Sequence, residues 1–193
     1  MTLRTFGALF MGNLVQLTAK QAEDNKLIAG WQNDAEFLRL LDDEPAWPRS
    51  AEELNKQDNE RHGNSNRFEF MLRTLAEGKL IGFGGMWINW NHRAAWLGIG
   101  IGAPEYRGRG YGTDAMRLLV GYGFRELDLH RIQLGVLANN PRAIRCYEKV
   151  GFVREMVRRA EIYRDGQRID AIYMGLLRSE WEKQTQATIY ARN

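Results

Sequence analysis

Three patterns mark the chain as an α+β protein with a mixed sheet. From Phe68 onward the apolar residues alternate with period two through three successive runs. Past Pro104 the period lengthens, and Met116, Leu119, Val120, Gly123, Phe124 and Leu127 fall on one helical face. Strand, helix and hairpin patterns then follow one another to residue 177. With 193 residues, 44% hydrophobic and 26% charged, the composition fits a single folded core and disfavours disorder.

The elements follow in order. Residues 1–13 are expected to be a leader or a frayed end, because the apolar run after Arg4 is too short and glycine-interrupted for a secretion signal. Residues 14–17 read as a short strand, and Thr18 is placed to cap a helix over residues 19–31. A second helix carries Phe37, Leu38, Leu40 and Leu41 and ends at the acidic Asp42-Asp43-Glu44-Pro45. Ser50 with Glu53 three residues on has capping-box spacing, which predicts a polar helix to His62 at the surface or as a lid. Strands at 67–75, 79–90 and 94–102, joined by Glu77-Gly78 and Asn91-His92, form a meander. A helix opens at Thr113, a strand covers residues 132–138, and Asn140-Pro141 opens a further helix that Gly151 closes. Asp165-Gly166 then turns a hairpin between strands at 152–163 and 168–177. No repeat divides the chain, so residues 1–193 are expected to form one domain.

Composition also excludes whole classes of function. The uncharged residues 80–91 are far short of the ~18 apolar residues a membrane helix needs. Cys146 is the single cysteine, so no internal disulfide is available, no metal-ligand spacing is present, and a cytoplasmic location fits. A net charge of +3 is too small for a protein that coats nucleic acid. Positive charge does gather locally at Arg107, Arg109, Arg142, Arg145, Lys149, Arg154, Arg158 and Arg159, which suits a small phosphorylated ligand.

The most informative segment is the loop before the long helix, where Gly108, Gly110 and Gly112 can take positive φ and turn successive N–H groups inward. The helix N-terminus adds about half a positive charge to that field, which suits a pyrophosphate. A P-loop would need Lys where Thr113 and Asp114 follow Gly112, and a dinucleotide fold would end its next strand in an acid where Asn139-Asn140 stand. In the preceding strand Gly98, Gly100 and Gly102 share one face, so a backbone or an amide-bearing ligand can come close.

These segments resemble the GNAT family of acyl-CoA-dependent N-acetyltransferases. The family's phosphate loop, Arg/Gln-x-x-Gly-x-Gly/Ala, stands here as Arg107-Gly108-Arg109-Gly110-Tyr111-Gly112. A second block, Asn140-Pro141 through Tyr147-Glu148-Lys149-Val150-Gly151-Phe152, is similar to the family's segment from strand to helix. A third, Tyr163-Arg164-Asp165-Gly166 with Asp170, Leu176-Leu177 and Glu180-Trp181, resembles the branch of ribosomal-protein-alanine and spermidine acetyltransferases. The resemblance covers residues 12–182. It implies a mixed, mostly antiparallel sheet flanked by helices and splayed where acetyl-CoA wedges in. It implies pantetheine contacts from the backbone of Ile101, Gly102 and Ala103 and from Asn140, and phosphate contacts from Arg107, Gly108, Arg109, Gly110, Tyr111, Gly112 and Thr113. Read alone, Asn140 is a good N-cap.

Tyr147 matches the family's proposed general acid toward the CoA thiolate, while the stripe Ile144, Tyr147, Val150 also suits a core residue with its hydroxyl at the rim. An alkyl ammonium must lose a proton before it attacks. Many members place a carboxylate on the strand before the loop, and residues 94–102 carry none. Glu69, Glu105, His92 or a water relay are the alternatives. The acceptor pocket implied by the fold involves residues 31–37, the loop 42–47, Trp87, Trp90 and Trp96, whose aromatic faces can hold an ammonium. A polyamine site should show several carboxylates on the strands of Trp87 and Trp96, and their absence disfavours spermidine. The expected activity is direct acetyl transfer from acetyl-CoA to a primary amine of a protein N-terminus or a small molecule. An acyl-CoA sensor without transfer is the alternative. Acetyl-CoA and the amine are the expected partners, a homodimer is an open option, and neither nucleic acid nor membrane is expected.

Overall fold

The computed structural model describes residues 9–61 and 63–190. Among them seven strands form one sheet: β1 (Val15–Thr18), β2 (Arg67–Thr74), β3 (Leu80–Asn89), β4 (Ala94–Ile101), β5 (Arg131–Leu137), β6 (Val153–Arg164) and β7 (Gln167–Leu177). Their order is β1-β2-β3-β4-β5-β7-β6. Every neighbouring pair is antiparallel except β4 and β5, which run parallel. The exception follows from connectivity, since β4 and β5 are joined by the helix α4 (Tyr111–Arg125) and a helical crossover joins parallel strands.

Alternation on β4 assigns the two faces of the sheet. Ala95 and Leu97 point to the side on which α4 lies, where Met116, Leu119, Val120 and Phe124 are fully buried. The helices α5 (Pro141–Val150) and α6 (Arg178–Tyr190) share that side with α4, through the α4–α5 contact and the packing of Trp181 on Phe124. The opposite face takes α1 (Asp24–Trp31), whose Ile28 packs with Met71 and Leu80, and α2 (Ala35–Leu41), whose Phe37 and Leu41 lie over Gly100. The polar helix α3 (Ala51–Arg61) packs against α1 and closes its capping box as expected: the Ser50 N–H donates to Glu53 and the Glu53 N–H to the Ser50 hydroxyl.

Three expectations change. Thr18 ends β1 and does not cap α1, which starts five residues later than the pattern suggested, at Asp24, whose carboxylate accepts the Gln21 N–H and pairs with Arg73. Residues 1–8 and the expected helix end at His62 lie outside the described residues. The described remainder of the supposed frayed end is packed: Phe10 meets Phe70 and Tyr122, and the N–H groups of Asn13, Leu14 and Val15 donate to the buried carboxylate of Asp114 in the first turn of α4. The carboxylate is what holds the entry to β1 in place. Finally, α6 went unanticipated; the Glu180 carboxylate caps its start by accepting the Leu177 N–H at 2.9 Å. No described helix is long and apolar enough to cross a membrane.

Candidate active site

The sheet opens between its two parallel strands. β4 and β5 pair only from Ala94↔Arg131 to Trp96↔Gln133, and beyond that point they part. A cavity of about 380 Å³ fills the wedge, walled by β4 from Leu97 to Ile101, by Gly135 and Val136 of β5, and by the starts of α4 and α5. A strand that loses its neighbour keeps a row of unsatisfied main-chain groups, and that edge faces the cavity.

The glycine loop closes one end of the wedge. Gly108 (φ 74°) and Gly110 (φ 92°) take the left-handed conformation, and Gly108, Gly110, Gly112 and Thr113 all border the cavity. Gly112 does not need positive φ, contrary to expectation: α4 begins at Tyr111 rather than Thr113, so Gly112 already lies in its first turn. The Thr113 hydroxyl donates to Cys146 Sγ at 3.3 Å and ties α4 to α5, while burial pushes the Cys146 thiol above its ordinary pKa. Arg142, Arg145 and Lys149 of α5 add positive charge along the same wall.

Arg107 behaves as a clamp. Its guanidinium donates to Ile101 O at 2.9 Å, to Gly102 O at 2.6 Å and to Asp34 Oδ2 at 2.7 Å, and it stacks on Phe37. Asp34 also N-caps α2 through the Phe37 N–H, so one guanidinium locks the end of β4, the loop and α2 together. That N–H first, and Arg107 second, hold the Asp34 carboxyl below its ordinary pKa. Of the other expected contacts, Ile101, Asn140 and Tyr147 border the cavity, whereas Gly102, Ala103, Arg109 and Tyr111 do not. Gly102 lies under Trp31, the buried Ala103 gives its N–H to Ile81 O, Arg109 turns back to Glu105 O, and Tyr111 stacks edge-on against Tyr106. Aromatic rings crowd the glycine face of β4, since a Cβ at Gly98, Gly100 or Gly102 would run into Trp87, Phe37 and Leu41, or Trp31, while Gly98 and Gly100 still border the cavity.

On α5, Asn140 caps the helix by accepting the Ala143 N–H at 3.1 Å. Tyr147, about two turns along, is buried between Phe152 and the cavity wall. Burial, and then the neighbouring Cys146, push its phenol well above the ordinary tyrosine range, so it is protonated throughout neutral pH.

The residues expected around the acceptor lie largely on the sheet face opposite α4. Trp96 and Tyr173 meet edge to face at 5.9 Å over Gly135, directly beside the last β4–β5 pair. Arg67 covers Trp87 and Arg158 covers Tyr173, so cations of the chain itself already sit on those two rings. Across this face the hairpin of β6 and β7 reaches back to α2: Arg164 donates to the main-chain oxygens of Arg39, Asp42 and Glu44, and Arg39 pairs with Asp165. Trp31 and Trp90 serve packing instead, the latter against Phe68, and Trp47 stands apart in an outer hollow beside Asp42 and Glu44. None of the three side chains expected as bases borders the wedge. Glu69 pairs with Arg67 on β2, Glu105 with Lys79, and His92 sits in the turn between β3 and β4. The residues missed from sequence are those brought in by distant elements, Gly135, Glu161 and Tyr173, for which no local motif exists.

Comparison with known proteins agrees with this geometry. The family model described as "Acetyltransferase (GNAT) domain" matches residues 14–153. The spermidine N(1)-acetyltransferase of Vibrio cholerae serotype O1 is 32% identical over 173 residues, 89% of this chain and 97% of its own length. That of Escherichia coli K12 is 32% identical over 168 residues, 86% of this chain and 88% of its own length. The crystal structure of the spermidine N-acetyltransferase from Vibrio cholerae in complex with CoA and spermine superposes with a TM-score of 0.79 at 29% identity, covering 87% of this chain and 98% of that one. Nothing in these comparisons supports a sensor without transferase activity. A family match spanning most of the chain, on a sheet that opens at the expected strands, leads to one conclusion: the chain belongs to the GNAT family of N-acetyltransferases, with acetyl-CoA as its co-substrate.

Proposed function

We propose that the wedge between β4 and β5 holds acetyl-CoA, and that a primary alkyl amine reaches it from the Trp96–Tyr173 face for direct transfer in a ternary complex. The observation that carries this reading is the abrupt end of β4–β5 pairing at Trp96↔Gln133, with the glycine loop at one end of the opening and the aromatic face beside it. The residues present fit the co-substrate: left-handed glycines and the first turn of α4 offer N–H groups to a pyrophosphate, and the basic side chains of α5 offer countercharge. Acetyl-CoA supplies an activated acyl group on a thiol leaving group.

The roles of the chain's own residues follow from their settings. Arg107 holds the loop and the strand end in register; the phosphate contacts themselves fall to the main chain from Gly108 to Thr113. The unpaired edge of β4 hydrogen-bonds the pantetheine arm, and Asn140 borders it from the other side. Tyr147, being protonated, donates a hydrogen bond where thiolate charge develops. Full proton transfer from so weak an acid to a thiolate of pKa near ~8.5 is uphill. Tyr147 therefore gives up its proton only as the proton shed by the reacting nitrogen replaces it.

As for the acceptor, carboxylates near this face come from the loop after α2 and from β6, namely Asp43 and Glu161, whose charges both act on Tyr173. These carboxylates lie off the strands of Trp87 and Trp96, so the lack of acids on those strands does not weigh against a polyamine, and spermidine, on which the named relatives act, heads the acceptor panel. The test measures thiol release from acetyl-CoA over spermidine, monoamines and short peptides, with CoA binding followed by calorimetry. Tyr147→Phe is expected to cut turnover at least tenfold with CoA affinity within twofold of the unmodified chain. Unchanged turnover removes Tyr147 from the mechanism, and absence of CoA binding removes the whole reading.

A further inference from the structure

β4 carries no carboxylate to deprotonate the acceptor, yet the hollow beside the wedge on the open face, lined by Trp96, Arg158 and Tyr173, holds a tyrosine backed by one. Resting on the reading above, we propose that Tyr173 and Glu161 form the proton exit for the acceptor ammonium. The Tyr173 ring lies over Gly135 beside the last β4–β5 pair, and its hydroxyl donates to Glu161 Oε2 at 3.3 Å. Tyr173 thus lies against Gly135 of the wedge wall, on the open face from which the proposed reading brings the amine.

A second, independent feature of the fold puts Glu161 there. Between the pairs Arg158↔Ala171 and Ile162↔Ile169, the three β6 residues 159–161 stand opposite the single Asp170. Continuing the first register would set Glu161 opposite Arg168. The two inserted residues bring it back level with Asp170, about 7 Å nearer Tyr173 at ~3.3 Å per residue. The Glu161 carboxylate meets the Tyr173 hydroxyl, which places it on the Tyr173 face. The bulge requires a left-handed Ala160 (φ 56°), and the Asp170 carboxylate holds it by accepting the Ala160 N–H at 2.8 Å. A strained bulge pinned by a side chain, re-aiming a carboxylate beside a cleft, is a built arrangement.

The charges facing the pair suit a relay. Arg158 donates to Glu161 Oε1 at 2.8 Å and covers the Tyr173 ring at 4.7 Å, and Asp43 faces Tyr173 from the loop after α2. Burial first, then the Glu161 charge, raise the Tyr173 phenol above its ordinary pKa, so it is protonated at rest. In the step itself one proton leaves the ammonium nitrogen for the phenol oxygen while the phenol's own proton passes to Glu161. The amine lone pair is freed, the tyrosine ends unchanged, and the carboxylate ends neutral and returns its proton to solvent. Tyr173 touches the substrate; Glu161 acts through it.

The experiment compares the unmodified chain with Glu161→Gln and Tyr173→Phe, using spermidine or whichever panel amine the unmodified chain acetylates best, over pH 6 to 10. Both variants should lose about 100-fold in kcat/KM near neutral pH, within the range of acid–base catalysis. The loss should shrink as pH nears the amine's own pKa, where the acceptor arrives neutral. CoA affinity should be unchanged in both. A loss of equal size at every pH, or no loss, overturns the relay. Absence of turnover in the unmodified chain shows instead that the underlying reading has failed, and the relay falls with it.

Discussion

Replacing Arg107 by lysine separates a clamp from a ligand group. The guanidinium is largely buried, with 13% of its side chain exposed, and bonds two main-chain oxygens and the Asp34 carboxylate at 2.6 to 2.9 Å. A lysine keeps the charge and reaches one of the three partners, because its donors radiate from a single atom. Hydrogen bonds to charged groups are worth about 1.5–3 kcal/mol each, so losing two, partly offset by admitted water, costs about 3 kcal/mol. At ~2–4 °C per kcal/mol for a chain of this size, the melting temperature should fall by roughly 6–12 °C. Affinity for CoA should weaken about tenfold as the loop loosens, a change of ~1.4 kcal/mol. Thermal unfolding and calorimetry with CoA read the two effects, and Arg109→Ala, which removes one exposed bond to Glu105 O, serves as the comparison with a shift under ~1 °C. A normal melting temperature with weakened CoA binding refutes the clamp and makes Arg107 a direct phosphate contact.

Three further outcomes are expected. Gly110→Ala forces a side chain into φ 92°, at a cost of about 1–3 kcal/mol, and calorimetry should show CoA binding at least tenfold weaker; unaltered affinity would mean the loop's N–H groups are not the anion site. Asp114→Ala strips the acceptor from three N–H groups, so amide exchange at Asn13, Leu14 and Val15 should accelerate at least tenfold, and unchanged protection would contradict the anchoring of β1 by this carboxylate. The third concerns pH. Asp34 has its carboxyl pKa depressed by the Phe37 N–H and Arg107, so its stabilisation is present above the unfolded value near ~3.9 and is lost as pH falls through the lower folded value. Denaturant titrations should show Asp34→Asn less stable than the unmodified chain at pH 6, with the gap narrowing at pH 3; an equal gap at both would remove the ionised carboxylate from the account.

What the sequence disclosed was the part of the site that one segment builds alone. The loop glycines, the Asn140 cap and the Tyr147 stripe announce themselves because turn geometry, capping and helical period are local. The opening of the sheet was implied by the family resemblance, and the parallel run of β4 and β5 beside it fits the helix that joins them. What stayed hidden depends on partners far along the chain. Arg107 looked like a phosphate ligand because nothing local tells that Asp34 and the β4 oxygens consume its donors. Gly100 and Gly102 looked like room for a ligand, and only the placing of α1 and α2 shows that rings of Phe37 and Trp31 crowd them. The Glu161–Tyr173 contact needs a two-residue bulge whose sole local sign is an ordinary alanine at positive φ.

The bridge from Arg164 to the segment after α2 bears on how the family branch could diversify. Its three acceptors are peptide oxygens, which every amino acid supplies. Positions 39, 42 and 44 can therefore change identity over evolutionary time without severing the tie, whereas position 164 is constrained to a long side chain with several donors. Selection for new amines could then act on the side chains of that segment while its docking against the hairpin is inherited intact.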